Sequence, residues 1–529
     1  MSVRRLFAGV STAAVVAASL SLAAPALADP PAGYTPAASD VIGVGSDTSE
    51  FALNYLADGN AGVPGYNATS PANKLVSWNA TAPAGGTATI NLPSNPTAAR
   101  PNGSGNGKKA LYGAGNVPDV DFARSSSALD ATEKQAGLQA FPFAKDSLAL
   151  ATATTSNAPT SISAADMVRI YTGAVTNWSQ LGGSPGVIEP KIPQSGSGTR
   201  SFFNAQLQAA NGGNAVALAG TVVEVQEHDA TPIQNNVNAV APFSIGRNAV
   251  NGAPLRIEGG FAADRALYNV VRQGDVAKPE ILAIFGDAGF ICSPAAKPLI
   301  SAAGFTQLLP KTQGGVCGVP TQDPATNLAT QQIATTTTVA GTSAAAGALN
   351  LTATVGSGST VADGLVTFFL DGSGTPTGAP VPLTGGKATK ALTGIASGAH
   401  SVVAKFTPGS NSVFLGSQSA ATPVSVLAAT PPAAKASTKL AETYKSAYAK
   451  GAVIKARVKV KESATGAATG KVVIKVGTKT VGTGKVKNGV AVIKLTKPLK
   501  KGKNKLVAKY AGDSAFAASK LKFVITIKG

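Results

Sequence analysis

Three short segments rich in glycine, serine and threonine are the part of this sequence best suited to chemistry. They are residues 43–48 (GVGSDT), 103–107 (GSGNG) and 195–200 (SGSGTR). Glycines let backbone N–H groups converge on a ligand, hydroxyls add donors, and the positive end of a following helix favours negative charge. Ordinary turns use the same residues, so one such segment would mean little. Three of them, one ending in arginine, predict an oxyanion site.

The elements that position these segments belong to a long chain with the features of an exported protein. It has 529 residues, 44% of them hydrophobic and only 13% charged, which predicts three or four domains rich in turns and β-structure. Residues 1–28 have the pattern of a signal peptide: Arg4 and Arg5, an apolar run, then small residues at 26 and 28. A membrane anchor is the alternative for this segment. We expect a secreted, cell-wall-associated protein with no transmembrane segment.

The few cysteines and histidines limit the kinds of functional site that this protein can contain. Cys292 and Cys317 are the only cysteines, and two thiols in an exported chain are expected to form a disulfide bond. That bond would stabilise the fold by roughly 3 kcal/mol. With only His228 and His400 besides, we expect no metal site and no other cofactor. Neither histidine stands beside a candidate nucleophile, so an enzyme is not expected.

Composition divides the chain into segments. Residues 29–321 mix helical signals, as at 163–171 and 265–271, with β-rich runs such as 220–225. Runs rich in Thr, Ala and Gln or in proline predict linkers. The expected order is signal peptide 1–28, α/β domain 29–321, linker 322–342, β-domain 343–427, linker 428–438 and β-domain 439–529.

The two predicted β-domains repeat one pattern about 100 positions apart. Residues 398–406 match 502–510, and residues 364–368 match 470–474. Short alternating strands separated by glycine turns at this spacing predict β-sandwiches. The order of these parts resembles bacterial immunoglobulin-like repeats of secreted surface proteins.

The last domain carries the charge of the whole protein. Residues 431–529 contain 22 lysines and one arginine against three acidic residues, a net charge of +20, whereas the whole chain carries +19. Lysines alternate with β-branched residues, which places them on the solvent face of strands. A solvated face that prevents edge aggregation is one interpretation. The other, which we favour, is a surface for anionic cell-wall polymers; scarce interleaved aromatics argue against nucleic acid.

Several stretches of the first domain resemble one family. Residues 120–129 resemble an anion loop, 170–181 match the pattern I-x-x-G-x-x-x-x-W, and 195–203 resemble a Gly-Ser-Gly-Thr-Arg loop. Together, residues 39–309 resemble the periplasmic phosphate-binding proteins of ABC transporters. The resemblance implies a two-lobed α/β domain of the type II periplasmic-binding fold, followed here by two all-β immunoglobulin-like sandwiches.

The resemblance also implies a ligand site, with Arg200 supplying its positive charge. In this family an aspartate usually accepts the proton of monohydrogen phosphate; Ser126 stands at that position, so Asp47 becomes the candidate acceptor. Other interpretations remain: a surface ion pair for Arg124, a helix cap for Asp47, and core packing for Trp178. The expected ligand contacts are Ser46, Asp47, Thr48, Ser104, Arg124, Ser125, Ser126, Ser197, Gly198, Thr199 and Arg200.

Two functions from different classes follow. The resemblance implies a secreted or cell-surface solute-binding protein for phosphate or a related oxyanion, with an ABC permease as a further candidate partner. The alternative is a non-catalytic cell-wall or adhesion protein whose binding domain no longer binds phosphate, and the missing aspartate supports it. Titration with phosphate and sulfate distinguishes the two.

Overall fold

The structure is a computed structural model that describes residues 29–30, 34–70, 72–83, 86–358, 363–462 and 466–529. The expected signal peptide, residues 1–28, lies outside the described residues. The chain forms two units, one ending at Val426 and one spanning Leu427–Gly529, and each is described by itself.

The first unit begins with an α/β domain built on one mixed ten-stranded sheet. Its strands are β1 (Val41–Gly45), β2 (Leu75–Ser77), β3 (Thr89–Leu92), β4 (Asn95–Ala99), β5 (Phe122–Ser125), β6 (Leu138–Ala153), β7 (Ser161–Ile162), β8 (Glu189–Pro193), β9 (Val223–Val225), β10 (Ala239–Ser244), β11 (Leu255–Arg272) and β12 (Thr306–Gln307). Its helices are α1 (Glu50–Asp58), α2 (Tyr66–Thr69), α3 (Ser104–Lys109), α4 (Ala131–Gln135), α5 (Ala164–Tyr171), α6 (Gly198–Ala210), α7 (Thr231–Gln234), α8 (Ile245–Val250), α9 (Pro279–Phe285) and α10 (Lys297–Ala302).

The sheet order explains how the first and third predicted segments meet the loop after β5. It runs β2-β1-β5-β11-β6-β10-β8-β9, with β12 beside β6 and β7 beside β11, while β3 and β4 pair apart. The long strands β6 and β11 pair antiparallel and run through both lobes. On one side β2, β1 and β5 are parallel, and on the other β10, β8 and β9 are parallel. The loops after β1, β5 and β8 therefore leave carboxyl ends of strands, where α/β folds bind ligands.

The two lobes have separate hydrophobic cores. The core of the first lobe lies around Phe122 and Phe285, and that of the second lobe lies around Trp178 and Phe203.

The helical prediction at 265–271 is wrong. Residues 265–271 belong to strand β11 and are buried throughout. A strand buried on both faces reads as a continuous apolar run, which periodicity cannot separate from a buried helix. The helix predicted near 163–171 is present as α5, capped by the Ser163 hydroxyl.

A β-sandwich follows in the same unit. Its sheets are β13-β14-β17 and β16-β15-β18-β19, with β20 also paired to β18. The expected linker 322–342 is in part a strand, because β-branched Thr337 and Val339 alternate inward and favour extended backbone. The strands are β13 (Thr336–Thr342), β14 (Ala348–Gly356), β15 (Gly364–Leu370), β16 (Val381–Pro382), β17 (Lys387–Thr393), β18 (Gly398–Pro408), β19 (Ser417–Gln418) and β20 (Thr422–Val426).

The second unit is another β-sandwich. Its sheets are β21-β23-β26 and β22-β28-β27-β24-β25. In β23, Ala456, Val458 and Val460 are buried and the intervening basic residues are exposed, as the alternation predicts. The strands are β21 (Thr438–Thr443), β22 (Ala447–Tyr448), β23 (Lys455–Glu462), β24 (Lys471–Val476), β25 (Lys479–Lys485), β26 (Val490–Lys494), β27 (Gly502–Tyr510) and β28 (Ser519–Ile527).

The predicted disulfide bond is confirmed. Cys292 and Cys317 are joined, with their Cα atoms 5.7 Å apart, in the core of the first lobe. We expect reduction to lower the free energy of unfolding of this lobe by about 2–4 kcal/mol, because the open chain gains conformational entropy. Both tryptophans, Trp78 and Trp178, lie in the α/β domain, so their fluorescence in a urea titration reports this change. Identical oxidised and reduced titrations would contradict it.

Candidate functional site

The first segment forms a buried turn between β1 and α1. Gly45 has φ of +113°, and a Cβ there would lie 2.8 Å from the carbonyl oxygen of Arg124, so a side chain would be strained and crowded. The Ser46 N–H donates to that same carbonyl at 3.1 Å. Ser46 and Thr48 are fully buried. The turn is thus fixed against the end of β5.

The second segment and the loop after β5 meet through their serines. Ser104 begins α3, and its hydroxyl accepts from the N–H of Ser126 at 3.0 Å. The hydroxyl of Ser125 instead donates to the carbonyl of Ser127 at 2.7 Å, which uses it within its own turn. Of the two expected serines, only Ser126 therefore faces Ser104.

The third segment closes on both. Ser197 caps α6 by accepting from the N–H of Arg200 at 3.0 Å. A Cβ on Gly198 would lie 2.2 Å from the hydroxyl oxygen of Ser104 and 2.5 Å from that of Ser126. Thr199 Oγ1 lies 3.3 Å from Thr48 Oγ1. We call Thr48, Ser104, Ser126 and Thr199 the hydroxyl cluster.

The structure does not bring Arg200 to the hydroxyl cluster. Its guanidinium donates to the carbonyl of Pro193 and pairs with the exposed carboxylate of Glu224. Successive helix residues are turned by about 100°, so Arg200 leaves α6 on a different side from Thr199. The expectation that Arg200 supplies the positive charge is therefore corrected by the geometry.

Arg265 of β11 is the cation that reaches the cluster, and sequence reasoning missed this role. Its Nη1 donates to Thr199 Oγ1 at 3.0 Å, and its Nε donates to Asp146 Oδ2 at 2.9 Å. Both side chains are almost completely buried. The available signal was an arginine at the start of a mostly apolar run, residues 265–271, because a charged residue in a buried run marks an ion pair or a site.

Arg124 is buried and is not part of a surface ion pair. Its Nε donates to the carbonyl of Ser46 at 3.1 Å, and its Nη1 donates to the hydroxyl of Ser77 at 2.7 Å. Burial lowers the pKa of Arg124 to about 10, so the guanidinium remains charged at neutral pH. Arg124 therefore stabilises the turn between β1 and α1.

Asp47 does not act as the helix cap. The N-cap of α1 is Ser49, which makes no side-chain capping bond, and it is the backbone carbonyl of Asp47 that accepts from the N–H of Glu50. Arg247 of α8 places Nη2 3.4 Å from Glu50 Oε1 and 3.8 Å from Asp47 Oδ1, and it stacks over the ring of Phe51.

The carboxyls of Asp47 and Glu50 titrate as a pair. Burial raises the pKa of both carboxyls, that of Asp47 well above its usual range. Nearby negative charge acts in the same direction: that of Glu50 and Glu227 on Asp47, and that of Glu227 on Glu50. Arg247 and Arg124 act in the opposite direction. Burial thus favours the protonated form of the Asp47 carboxyl. That Asp47 accepts the proton of a ligand stays a prediction.

Two further residues were missed, and both contact Thr48. The Thr48 hydroxyl donates to Glu227 Oε1 at 2.9 Å, and the N–H of Thr199 donates to the same oxygen at 3.3 Å. His228 Nε2 lies 3.0 Å from Thr48 Oγ1. Burial, with Arg247 and Arg265 nearby, holds the pKa of His228 well below its usual value, so the ring is neutral. Their position after β9 gave no spacing signal.

These contacts determine which group is the donor in each bond of a chain of hydrogen bonds. Because the only hydroxyl proton of Thr48 goes to Glu227, Thr199 must be the donor between the two threonines. Arg265 donates to Thr199, Thr199 to Thr48, and Thr48 to Glu227. The chain links a buried cation to a buried carboxylate across both lobes.

The site retains unused polar atoms. Within the described residues, several buried side-chain atoms of this region have no hydrogen-bond partner. They are Ser46 Oγ, Ser49 Oγ, Asp47 Oδ1, Arg124 Nη2, Arg247 Nη1, Glu227 Oε2 and His228 Nδ1. Buried polar groups are normally satisfied, so this concentration indicates capacity for a polar ligand.

A cleft borders the hydroxyl cluster at Ser126 and Arg265. It measures about 370 Å³ and is lined by residues that include Ser126, Phe202, Arg265 and Tyr268.

In the part of the chain that the structure describes, no group of three or more His, Cys, Asp and Glu side chains is arranged to hold a metal ion. Among the described helices, none is both long and apolar enough to cross a membrane.

The chain matches two family models. Residues 31–393 match the PBP superfamily domain, so that match extends into the first sandwich, and residues 441–528 match the bacterial Ig-like domain (group 3). None of the curated proteins matches the chain.

Solved structures that match part of the chain include proteins from three bacteria. A substrate-binding protein from Clostridium perfringens, solved with bound phosphate, is 19% identical over 51% of this chain and 99% of its own, with a TM-score of 0.36. An ABC-type phosphate transport receptor from Vibrio cholerae is 21% identical (50% and 99% covered, TM-score 0.33), and PstS from Borrelia burgdorferi is 17% identical (50% and 97%, TM-score 0.32). Since the first family model covers more than half of its length, this chain belongs to the PBP superfamily, with a bacterial Ig-like domain over residues 441–528.

Proposed function

We propose that the α/β domain binds phosphate or a related tetrahedral oxyanion, and that the protein is a solute-binding protein and not an enzyme. The observation that carries this proposal is the hydroxyl cluster. Loops from both lobes place its four hydroxyls at the N-terminus of α6, beside Arg265. Hydroxyls, a helix N-terminus and a guanidinium are the donors that proteins use for oxyanions.

Calorimetric titration of the full chain with phosphate and with sulfate tests this proposal. We expect phosphate to bind, and Thr199→Val to weaken it about tenfold, because the variant loses the hydroxyl that links Arg265 to Thr48. Thr172→Val makes the same chemical change at an exposed position and serves as the control. If neither anion binds the wild-type chain at millimolar concentration, the oxyanion function is refuted.

One observation favours the alternative function, a cell-wall or adhesion protein that no longer binds phosphate. The carboxylate of Glu227 already accepts hydrogen bonds from Thr48 and from the N–H of Thr199. A site satisfied by its own side chain has less need of a ligand. The same titration decides between the two functions.

For the second unit we propose a surface that binds anionic cell-wall polymers, which would retain an exported protein at the cell surface. Its strand registers place lysine directly opposite lysine at four positions, Lys439–Lys461, Lys455–Lys494, Lys471–Lys485 and Lys509–Lys520. Like charges directly opposite each other destabilise a sheet. Among the described residues of this unit, no lysine forms an ion pair with a carboxylate. A polyanion would relieve this repulsion. An ABC permease remains a proposed partner of the first domain.

Replacing one member of such a pair should separate binding from stability. We expect Lys509→Gln to raise the melting temperature of the second unit slightly, because repulsion from Lys520 is removed, and to lower the salt concentration that elutes the chain from an anionic polymer matrix. Lys503→Gln removes the same charge opposite Thr526 and should affect elution alone. Stabilisation of equal size in both variants would contradict the paired-charge argument.

A further inference from the structure

Glu227 accepts hydrogen bonds from two donors that the proposed site would offer to an oxyanion. Its Oε1 accepts from the first-turn N–H of Thr199 in α6, a helix of 13 residues, and from the hydroxyl of Thr48 in the other lobe. These donors are the amide and the hydroxyl that the proposed function assigns to the ligand. A carboxylate of the chain itself therefore holds the oxyanion seat, which we define as Thr48 Oγ1 and Thr199 N.

Buried carboxyl groups already outnumber buried guanidinium groups around the hydroxyl cluster. Four carboxyl groups and three guanidinium groups are buried there. The guanidinium groups belong to Arg124, Arg247 and Arg265, and the carboxyl groups to Asp47, Glu50, Asp146 and Glu227. A second anion added beside an ionised Glu227 would leave buried negative charge without compensation, which is unfavourable.

The Glu227 carboxylate accepts both hydrogen bonds of the seat but leaves other buried polar atoms of the region unpaired. Glu227 Oε2 is buried and, within the described residues, makes no hydrogen bond. The same holds for the hydroxyls of Ser46 and Ser49 and for Arg247 Nη1. A carboxylate offers two oxygens, whereas a tetrahedral oxyanion offers four. The free oxyanion can therefore make hydrogen bonds that the side chain cannot.

We propose that Glu227 is an intramolecular competitor for the oxyanion seat, and that a free oxyanion binds by displacing its carboxylate from Thr48 and Thr199. This inference rests on the proposed oxyanion function. Glu227 then sets the affinity of the domain, because every binding event must break its two hydrogen bonds and move its charge. A role as proton acceptor for the ligand would have the opposite sign, since the carboxylate would then strengthen binding.

The test compares phosphate and sulfate affinities of the full wild-type chain, Glu227→Gln and Glu224→Gln by calorimetry. Glu224 lies three residues earlier, and its exposed carboxylate pairs with Arg200, so the control removes the same charge outside the seat. We expect Glu227→Gln to bind both anions at least about tenfold more tightly than the wild type, because one buried repulsion is gone. Glu224→Gln should match the wild type.

Each outcome decides the proposal. Tighter binding by Glu227→Gln than by the wild type supports it. Binding by this variant alone would show that Glu227 blocks the seat, but it would refute the oxyanion function of the wild-type chain. If the wild type binds and Glu227→Gln binds equally or more weakly, the competitor role is overturned while the oxyanion function stands. If neither binds, both are overturned. Should circular dichroism show that Glu227→Gln is unfolded, Glu227→Asp decides: its shorter carboxylate keeps the charge but cannot reach both donors, so unchanged affinity would overturn the proposal.

Discussion

Replacing Arg265 with methionine is expected to lower the free energy of unfolding of the α/β domain by about 3–5 kcal/mol, because it leaves a buried carboxylate without its counter-charge. Arg265 contacts Asp146 Oδ2 through Nη2 at 2.8 Å and Nε at 2.9 Å, and the two side chains are 2% and 1% exposed. Urea unfolding followed by tryptophan fluorescence measures the change, since both tryptophans lie in this domain.

Two further variants show whether the cause is the unpaired charge. Adding Asp146→Asn to Arg265→Met should recover much of the loss, because the buried group is then neutral. Arg169→Met breaks an exposed pair with Asp166 and should cost less than about 1 kcal/mol. If Arg265→Met is as stable as Arg169→Met, the pair does not contribute as the geometry indicates.

Gly198→Ala is expected to have the largest effect on ligand binding with the smallest chemical change. The added methyl group would lie 2.2 Å from the hydroxyl oxygen of Ser104 and 2.5 Å from that of Ser126, so the loops from the two lobes must separate. Forcing a methyl group into such packing costs about 1–3 kcal/mol, and we expect phosphate affinity to fall at least about tenfold.

Gly220→Ala is the matched control for this variant. A Cβ at Gly220 meets no heavy atom within 4 Å, and its backbone does not require glycine. We expect wild-type calorimetry and stability for Gly220→Ala. Phosphate affinity of Gly198→Ala equal to that of Gly220→Ala would show that the ligand does not bind at the contact of the three loops.

The loops could be predicted because their requirements are local. The turn against β5 requires glycine at position 45, and helix N-termini favour small hydroxyl residues such as Ser197. Both requirements can therefore be recognised in the sequence alone. The sandwiches were predictable for the same reason: lysine and valine alternate at the period of a strand. These patterns can be recognised without knowing which segments come into contact in the fold.

The cations and acids of the site could not be assigned, because they depend on contacts between distant segments. Arg200 adjoins the third loop in sequence, yet its direction on α6 takes it away, and Arg265 arrives from β11. Glu227 and His228 reach Thr48 from about 180 positions away. The strand at 265–271 was mistaken for a helix because burial on both faces removes the alternation.

A crystal structure of the full chain grown with phosphate tests the proposed oxyanion site directly. We expect tetrahedral density within hydrogen-bonding distance of the hydroxyl cluster and the N–H of Thr199, with the carboxylate of Glu227 displaced from both threonines. Phosphate density at another site, with the Glu227–Thr48 hydrogen bond intact, would contradict it.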